Sequence, residues 1–171
     1  MQGFKLSVAE ILGRPGHYRD VSVRKPLPGV GNRLAHLSET PIVADLRAES
    51  VVEGILITGR LQGRTDLECA RCLKSLTCPV DVEVCELFAG PGHEAPPEED
   101  TYEVHGLEID LEPMLRDALG LALPLNPVCD EGCRGLCVEC GKDLNLGDCS
   151  CTFEEMDPRW AGLAALRDKL A

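Results

Sequence analysis

Apolar residues alternate with acids along Val80-Asp81-Val82-Glu83-Val84, the period of a strand with one buried face. Ile42-Val43-Ala44, Val51-Val52 and Ile55-Leu56-Ile57 share its bias towards branched residues. The stretch from Ile42 to Phe88 therefore predicts strands. Gly54, Gly59 and Gly63 predict bends or bulges within them. An antiparallel sheet, open or curled towards a barrel, is the simplest packing.

Helical spacing appears elsewhere. Leu111, Met114, Leu115, Ala118, Leu119 and Ala122 recur on one face, with Asp110 placed as an N-cap and Pro113 in the first turn. This predicts a packing helix near 111–123, ended by Pro124. Ser7-Val8-Ala9-Glu10 has the form of a capping box and predicts a short helix through Leu12, stopped at Gly13. Asp157-Pro158 predicts a terminal helix carrying Trp160, Leu163, Ala164, Leu166 and Leu170. Pro26, Pro28, Gly29 and Gly31 make 24–32 a loop. Pro91, Gly92, Pro96 and Pro97 break the chain at 90–102.

The fold class this predicts is α+β, mainly antiparallel β: an open or barrel-like sheet, a few short helices and a C-terminal zinc-binding module. Residues 1–128 form the β-rich body, and 129–171 a cysteine-rich module with the terminal helix.

Aromatic residues are 4% of the 171 positions, so the core must come from Leu, Val, Ile and Ala. No run of about 18 apolar residues exists to cross a membrane, and the N-terminus lacks the apolar stretch of a signal peptide. The expected location is the cytoplasm. There, clustered cysteines bind metal or do redox chemistry more readily than they form disulfides.

The net charge is −12, which argues against nucleic-acid binding through a general basic surface. It is unevenly spread: residues 1–36 hold six basic residues and two acids, whereas 94–112 hold eight acids and no Lys or Arg. The acidic stretch reads as a solvated, mobile loop or a docking site for a basic partner. The basic N-terminal segment could touch RNA locally.

Six of the ten cysteines fall within 129–151. Cys137-Val-Glu-Cys140 is a C-x2-C turn, and Cys149-Ser-Cys151 follows eight residues on. Together they supply four thiolates for one tetrahedral zinc ion. Gly141 relieves crowding where backbone N–H groups turn towards sulfur. Leu144, Leu146 and Phe153 are the sizeable apolar residues nearby, too few to hold the segment without a metal's folding free energy.

Cys69-Ala-Arg-Cys72 lies at a predicted hairpin tip, and Cys129-Asp-Glu-Gly-Cys133 has no partner within the first set. The economical proposal joins Cys69, Cys72, Cys129 and Cys133 as a second zinc site pinning the module to the sheet. Two alternatives stay open: one pair as plain thiols, or Cys129 or Cys133 exchanged into the first set. Cys78 and Cys85 stand alone in predicted strands, where free cysteine behaves as a small buried hydrophobe.

Other chemistry is weakly marked. A redox role for Cys69 and Cys72 needs a helix start to depress a thiol pKa, and their flanks predict strands. His17, His36, His93 and His105 match no hydrolase or zincin spacing. No phosphate-binding glycine loop or small-molecule site is evident. A four-thiolate zinc site has no open position to activate water.

Leu67-Glu68-Cys69-Ala70-Arg71-Cys72-Leu73 with Glu86-Leu87-Phe88 resembles the centre of the YceD family, the large ribosomal RNA subunit accumulation proteins. So do Asp110-Leu111-Glu112, Leu121-Ala122-Leu123-Pro124, Cys129 to Cys133, Gly135-Leu136-Cys137-Val138-Glu139-Cys140-Gly141, Leu144-Asn145, Cys149-Ser150-Cys151 and Asp157-Pro158-Arg159-Trp160, in order and spacing. The resemblance covers roughly 40–171. It implies a non-enzymatic factor in ribosome biogenesis, supporting accumulation or processing of large-subunit (23S) ribosomal RNA in bacteria and plastids. The partner would be a ribosomal protein or precursor rRNA. An RNA-maturation nuclease component, or a zinc or redox sensor using Cys69 and Cys72, are the competing readings.

Overall fold

A computed structural model of the chain describes residues 3–92 and 102–151. Its centre is a six-stranded open sheet. Strands β2 (Tyr18–Lys25), β4 (Ile42–Ser50), β5 (Gly54–Glu68) and β6 (Ser75–Ala89) lie side by side and antiparallel. The short β3 (Ala35–Leu37) pairs the far end of β5, and β7 (Tyr102–Glu103) pairs the end of β6 in parallel. Apart from them, β1 (Lys5–Ser7) pairs β8 (Glu108–Asp110). Among the described residues there is one helix, α1 (Glu112–Ala122).

One sheet face is apolar because the strands alternate. Ile42, Ala44, Leu46 and Ala48 of β4, Ile55, Ile57 and Leu61 of β5, and Val80, Val84 and Phe88 of β6 are buried on it. Helix α1 contributes Met114, Leu115 and Leu119 to the same core, all fully buried. The Phe88 ring stacks on Tyr102 at 5.1 Å. The opposite face is solvated and carries the ion pairs Arg47–Asp20 and Arg60–Asp81.

Several expectations need correction. Val51-Val52 is not a strand but the turn between β4 and β5, closed by Val51 N donating to Gly54 O. No bulge interrupts β5: its register runs unbroken from Ile55↔Ser50 to Gln62↔Val43 and from Gly54↔Ala89 to Glu68↔Ser75. Gly59 instead permits close approach, since a Cβ there would stand 2.2 Å from Asp45 O. Ser7 ends β1 rather than capping a helix, and 8–13 form hydrogen-bonded turns that close at Gly13 (φ +72°). Leu6, Val8 and Ile11 are drawn into the core, and that tertiary burial overrides the local cap.

The N-cap of α1 is Leu111; the Asp110 carboxylate accepts from Glu112 N at 3.0 Å. The helix ends before Pro124 as expected. Part of the acidic stretch is ordered as β7 and β8, while 93–101 and the expected terminal helix lie outside the described residues. No helix among those described is long and apolar enough to cross a membrane.

The β5–β6 hairpin carries Cys69 and Cys72 at its tip, clear of the main sheet. It extends beyond the end of β4, which stops pairing at Gln62. Among the described strands, β3 alone flanks the hairpin there, along the last part of β5, with Glu68 N donating to Leu34 O.

Candidate metal centres

The hairpin tip, 69–74, turns back on itself tightly. Leu73 N donates to Cys69 O at 2.9 Å and Cys69 N to Lys74 O at 2.9 Å, with Leu73 at φ +58°. The Cys137–Lys142 turn repeats this geometry: Gly141 N donates to Cys137 O at 2.8 Å and Cys137 N to Lys142 O at 2.9 Å, with Gly141 at φ +71°. The two turns are the same knuckle. A Cβ at Gly141 would meet nothing, so its role is the left-handed conformation rather than relief of crowding. Leu73 adopts that conformation with a side chain, which costs about 1–2 kcal/mol locally.

Eight cysteines come together in two groups of four. Cys69, Cys72, Cys129 and Cys133 place their sulfurs within 4.8 Å of one another, as do Cys137, Cys140, Cys149 and Cys151. Cys69 Sγ lies 3.9 Å from Cys133 Sγ, and Cys72 Sγ lies 3.6 Å from Cys129 Sγ. Thiolates about 2.3 Å from a tetrahedral ion stand about 3.8 Å apart, so the donor set fits a metal ion. The first grouping joins the pairs that the spacing alone left open. The tight C-x-C pair closes on the second knuckle.

Backbone amides prepare the sulfurs. In the first group the Cys72 N–H pointing at Cys69 holds that thiol down to about 6. In the second the Cys140 N–H holds Cys137 down to about 7. Cys129 is pushed up to about 12, first by its hydrogen bond with the Cys72 sulfur, and Cys151 likewise by Cys140. In each group one sulfur is thus lowered by main-chain amides, while crowded neighbours are raised: Cys72 and Cys129 in the first group, Cys151 in the second.

Hydrogen bonds join the cysteine-rich loops to the hairpin tip. Ala70 N donates to Pro127 O at 2.7 Å and Leu136 N to Arg71 O at 3.1 Å. Arg71 Nη1 donates to the carbonyls of Glu131 and Cys133, both at 2.9 Å. Asn145 links the two groups: its Nδ2 donates to Cys133 Sγ at 3.4 Å, and its Oδ1 accepts from Arg134 N at 2.8 Å. Arg134 also pairs with Asp148. Arg71 and Asn145 stood in the sequence only as parts of the family motifs, with no role assigned to them. Nothing in their spacing marks them, because their partners are distant in the chain or are main-chain atoms.

Cys78 and Cys85 join neither group, and both are exposed rather than buried. Cys85 lies on the solvated face. Cys78 sits opposite Thr65, near the end of β6 that no further strand covers among the described residues.

The family model for the large ribosomal RNA subunit accumulation protein YceD matches residues 57–167, from β5 through the cysteine-rich loops. An uncharacterized protein of Mycobacterium tuberculosis is 38% identical over 94% of this chain and 80% of its own length. One of Mycobacterium leprae is 37% identical over 88% of this chain and 71% of its own. The chloroplastic large ribosomal RNA subunit accumulation protein YCED homolog 1 of Arabidopsis thaliana is 36% identical over 37% of this chain and 20% of that protein. No solved structure matches.

Proposed function

This chain belongs to the YceD family of large ribosomal RNA subunit accumulation proteins, and from that premise we propose that it is a non-enzymatic binding factor in ribosome biogenesis. The family match over 57–167 carries this reading. It supports accumulation of large-subunit ribosomal RNA by holding a ribosomal component.

Each cysteine group takes one zinc ion. Four thiolates leave no open coordination position, so zinc supplies folding free energy and a cross-link between distant segments rather than a reactive water. The chain's own residues do the rest. Cys69 and Cys72 anchor the joint at the hairpin tip. Cys129 and Cys133 close it from the loop, and Arg71 and Asn145 orient the loop on that tip. Residues 129–151 thereby become a rigid part of the binding surface.

Charge favours a basic protein over RNA as the direct partner. The chain carries −12 overall. Part of the basic N-terminal group is also engaged internally: Arg14 donates to Glu10 O, Arg19 to Ser7 O and Lys25 to Gly3 O.

The test is recovery of the tagged protein from cells, with and without ribonuclease, followed by mass spectrometry. A basic large-subunit protein retained after ribonuclease is the expected result. Loss of every ribosomal partner under both conditions would reject the reading.

A further inference from the structure

Strand β6 is 15 residues long, yet β7 covers only Phe88 and Ala89 on the side away from β5. From Ser75 to Glu86 no strand lies on that side among the described residues. Successive residues of a strand turn their N–H and C=O groups to opposite neighbours. Ala89 O accepts from Val104 N on the open side, while Gly90 N reaches Glu53 O on the β5 side. Counting back through the uninterrupted register, Asp81, Glu83 and Cys85 present their backbone groups to the open side. Pro79 falls in the same phase, where its missing N–H removes nothing from the ladder.

The side chains along this edge are sorted. Asp81, Glu83 and Cys85 lie on the solvated face, and Val80, Val82, Val84 and Glu86 on the core face. Asp81, Glu83 and Glu86 are exposed, and β6 carries no Lys or Arg. Core-face burial also fails here. Ile57, Leu61 and Thr65 of β5 are buried, whereas their partners Glu86 and Cys78 are exposed and Val82 is half-buried. The apolar row is open along its flank.

From this edge we infer a strand-addition site for an extended, basic segment of a partner protein, one that alternates Lys or Arg with branched apolar residues. Main-chain hydrogen bonds to the 81–85 edge would supply the attachment. A cationic side chain would face Glu83, because Asp81 is already held by Arg60 and Gln62, and apolar ones would extend the Val82–Val84 row. The exposed Glu83 and Glu86 carboxylates repel the same edge of a second copy, so charge selects a foreign basic strand over self-pairing. The inference rests on the binding-factor reading and names the kind of partner it requires.

The test uses the full chain and a capped octapeptide of alternating lysine and valine, with amide-proton exchange read by NMR. At ten times the peptide's dissociation constant, exchange at Asp81, Glu83 and Cys85 is expected to slow about tenfold. A glutamate–valine peptide should leave these amides unchanged. Glu83→Lys, at an exposed position, should weaken the lysine peptide about two- to fivefold while the rest of the spectrum is preserved. Three results would overturn the inference: no protection at these amides, protection at β2 instead, or the same protection from raised protein concentration without peptide. If the peptide fails while a basic ribosomal protein is still recovered from cells, the edge falls and the function stands. The reverse pair of results leaves the edge standing and removes the function.

Discussion

Gly135→Ala tests the joint between the hairpin tip and the cysteine-rich loop. Gly135 has φ +74°, and a Cβ there would stand 2.9 Å from Arg71 O, the oxygen that accepts Leu136 N at 3.1 Å. The left-handed conformation costs an alanine about 1–2 kcal/mol. Displacing the Leu136 hydrogen bond costs about 0.5–1.5 kcal/mol more. The total, about 1.5–3.5 kcal/mol, is about ten- to several-hundredfold in an equilibrium constant. The Cys69/Cys72/Cys129/Cys133 group exists only when loop and tip are docked, so its metal-loaded state bears the penalty. The sulfurs of the other group all fall within 137–151, and its tie to Gly135, Leu144 N donating to Gly135 O at 2.9 Å, does not involve the added Cβ. In a zinc-chelator titration, wild type should release two ions. The variant should give up one of them at a chelator concentration lower by that factor and keep the other at the wild-type concentration. Gly132→Ala is the control: φ there is not left-handed, and its close neighbour is the flexible Asp130 carboxylate. Release of both ions as in wild type, or a wild type that carries one ion, would refute the reasoning.

Thiol labelling separates structural from reactive cysteines. With metal bound, Cys78 and Cys85 should react rapidly with a maleimide and the eight grouped cysteines slowly; fast labelling of Cys69 and Cys72 would favour the redox-sensor reading. Leu119→Ala removes a fully buried helix side chain and should cost about 2–5 kcal/mol in a denaturant melt, with metal content unchanged; loss of metal in the folded variant would show that α1 supports the cysteine loops directly.

The readable parts of the fold were those whose signal is local. Val80-Asp81-Val82-Glu83-Val84 alternates because one face of β6 meets the core, and the 111–123 spacing follows from the face α1 buries. β2 was not legible. Tyr18-Arg19-Asp20-Val21-Ser22-Val23-Arg24-Lys25 holds few apolar residues because it is an edge strand with a thinly covered inner face. The capping-box sequence at Ser7 was real as sequence but lost to burial of Leu6, Val8 and Ile11, which depends on β8 more than 100 residues away. Cys78 and Cys85 were misjudged because burial in a strand depends on which neighbour lies alongside. The cysteine groups were legible because a knuckle fixes its two sulfurs within a few residues. The non-local grouping was a proposal from the pairs that remained, with exchange of Cys129 or Cys133 left open, because only the docked loop brings those sulfurs to the hairpin tip.

The two groups use the same knuckle, yet their topology makes them unequal. Cys69 and Cys133 are 64 positions apart, whereas the second group spans Cys137 to Cys151. Closing the longer loop carries an entropic disadvantage of about tenfold in binding, from the logarithmic dependence on loop length. The hydrogen bonds at the joint oppose it. Arg71 holds two loop carbonyls through its guanidinium and Leu136 N through its own carbonyl, while Ala70 N takes Pro127 O. These contacts need no metal, so they can dock the loop before an ion arrives and shorten the effective closure. Arg71 therefore acts on the first group without being a ligand. Its position inside the Cys69–Cys72 knuckle lets one turn carry both the sulfurs and the clamp that brings their distant partners within reach.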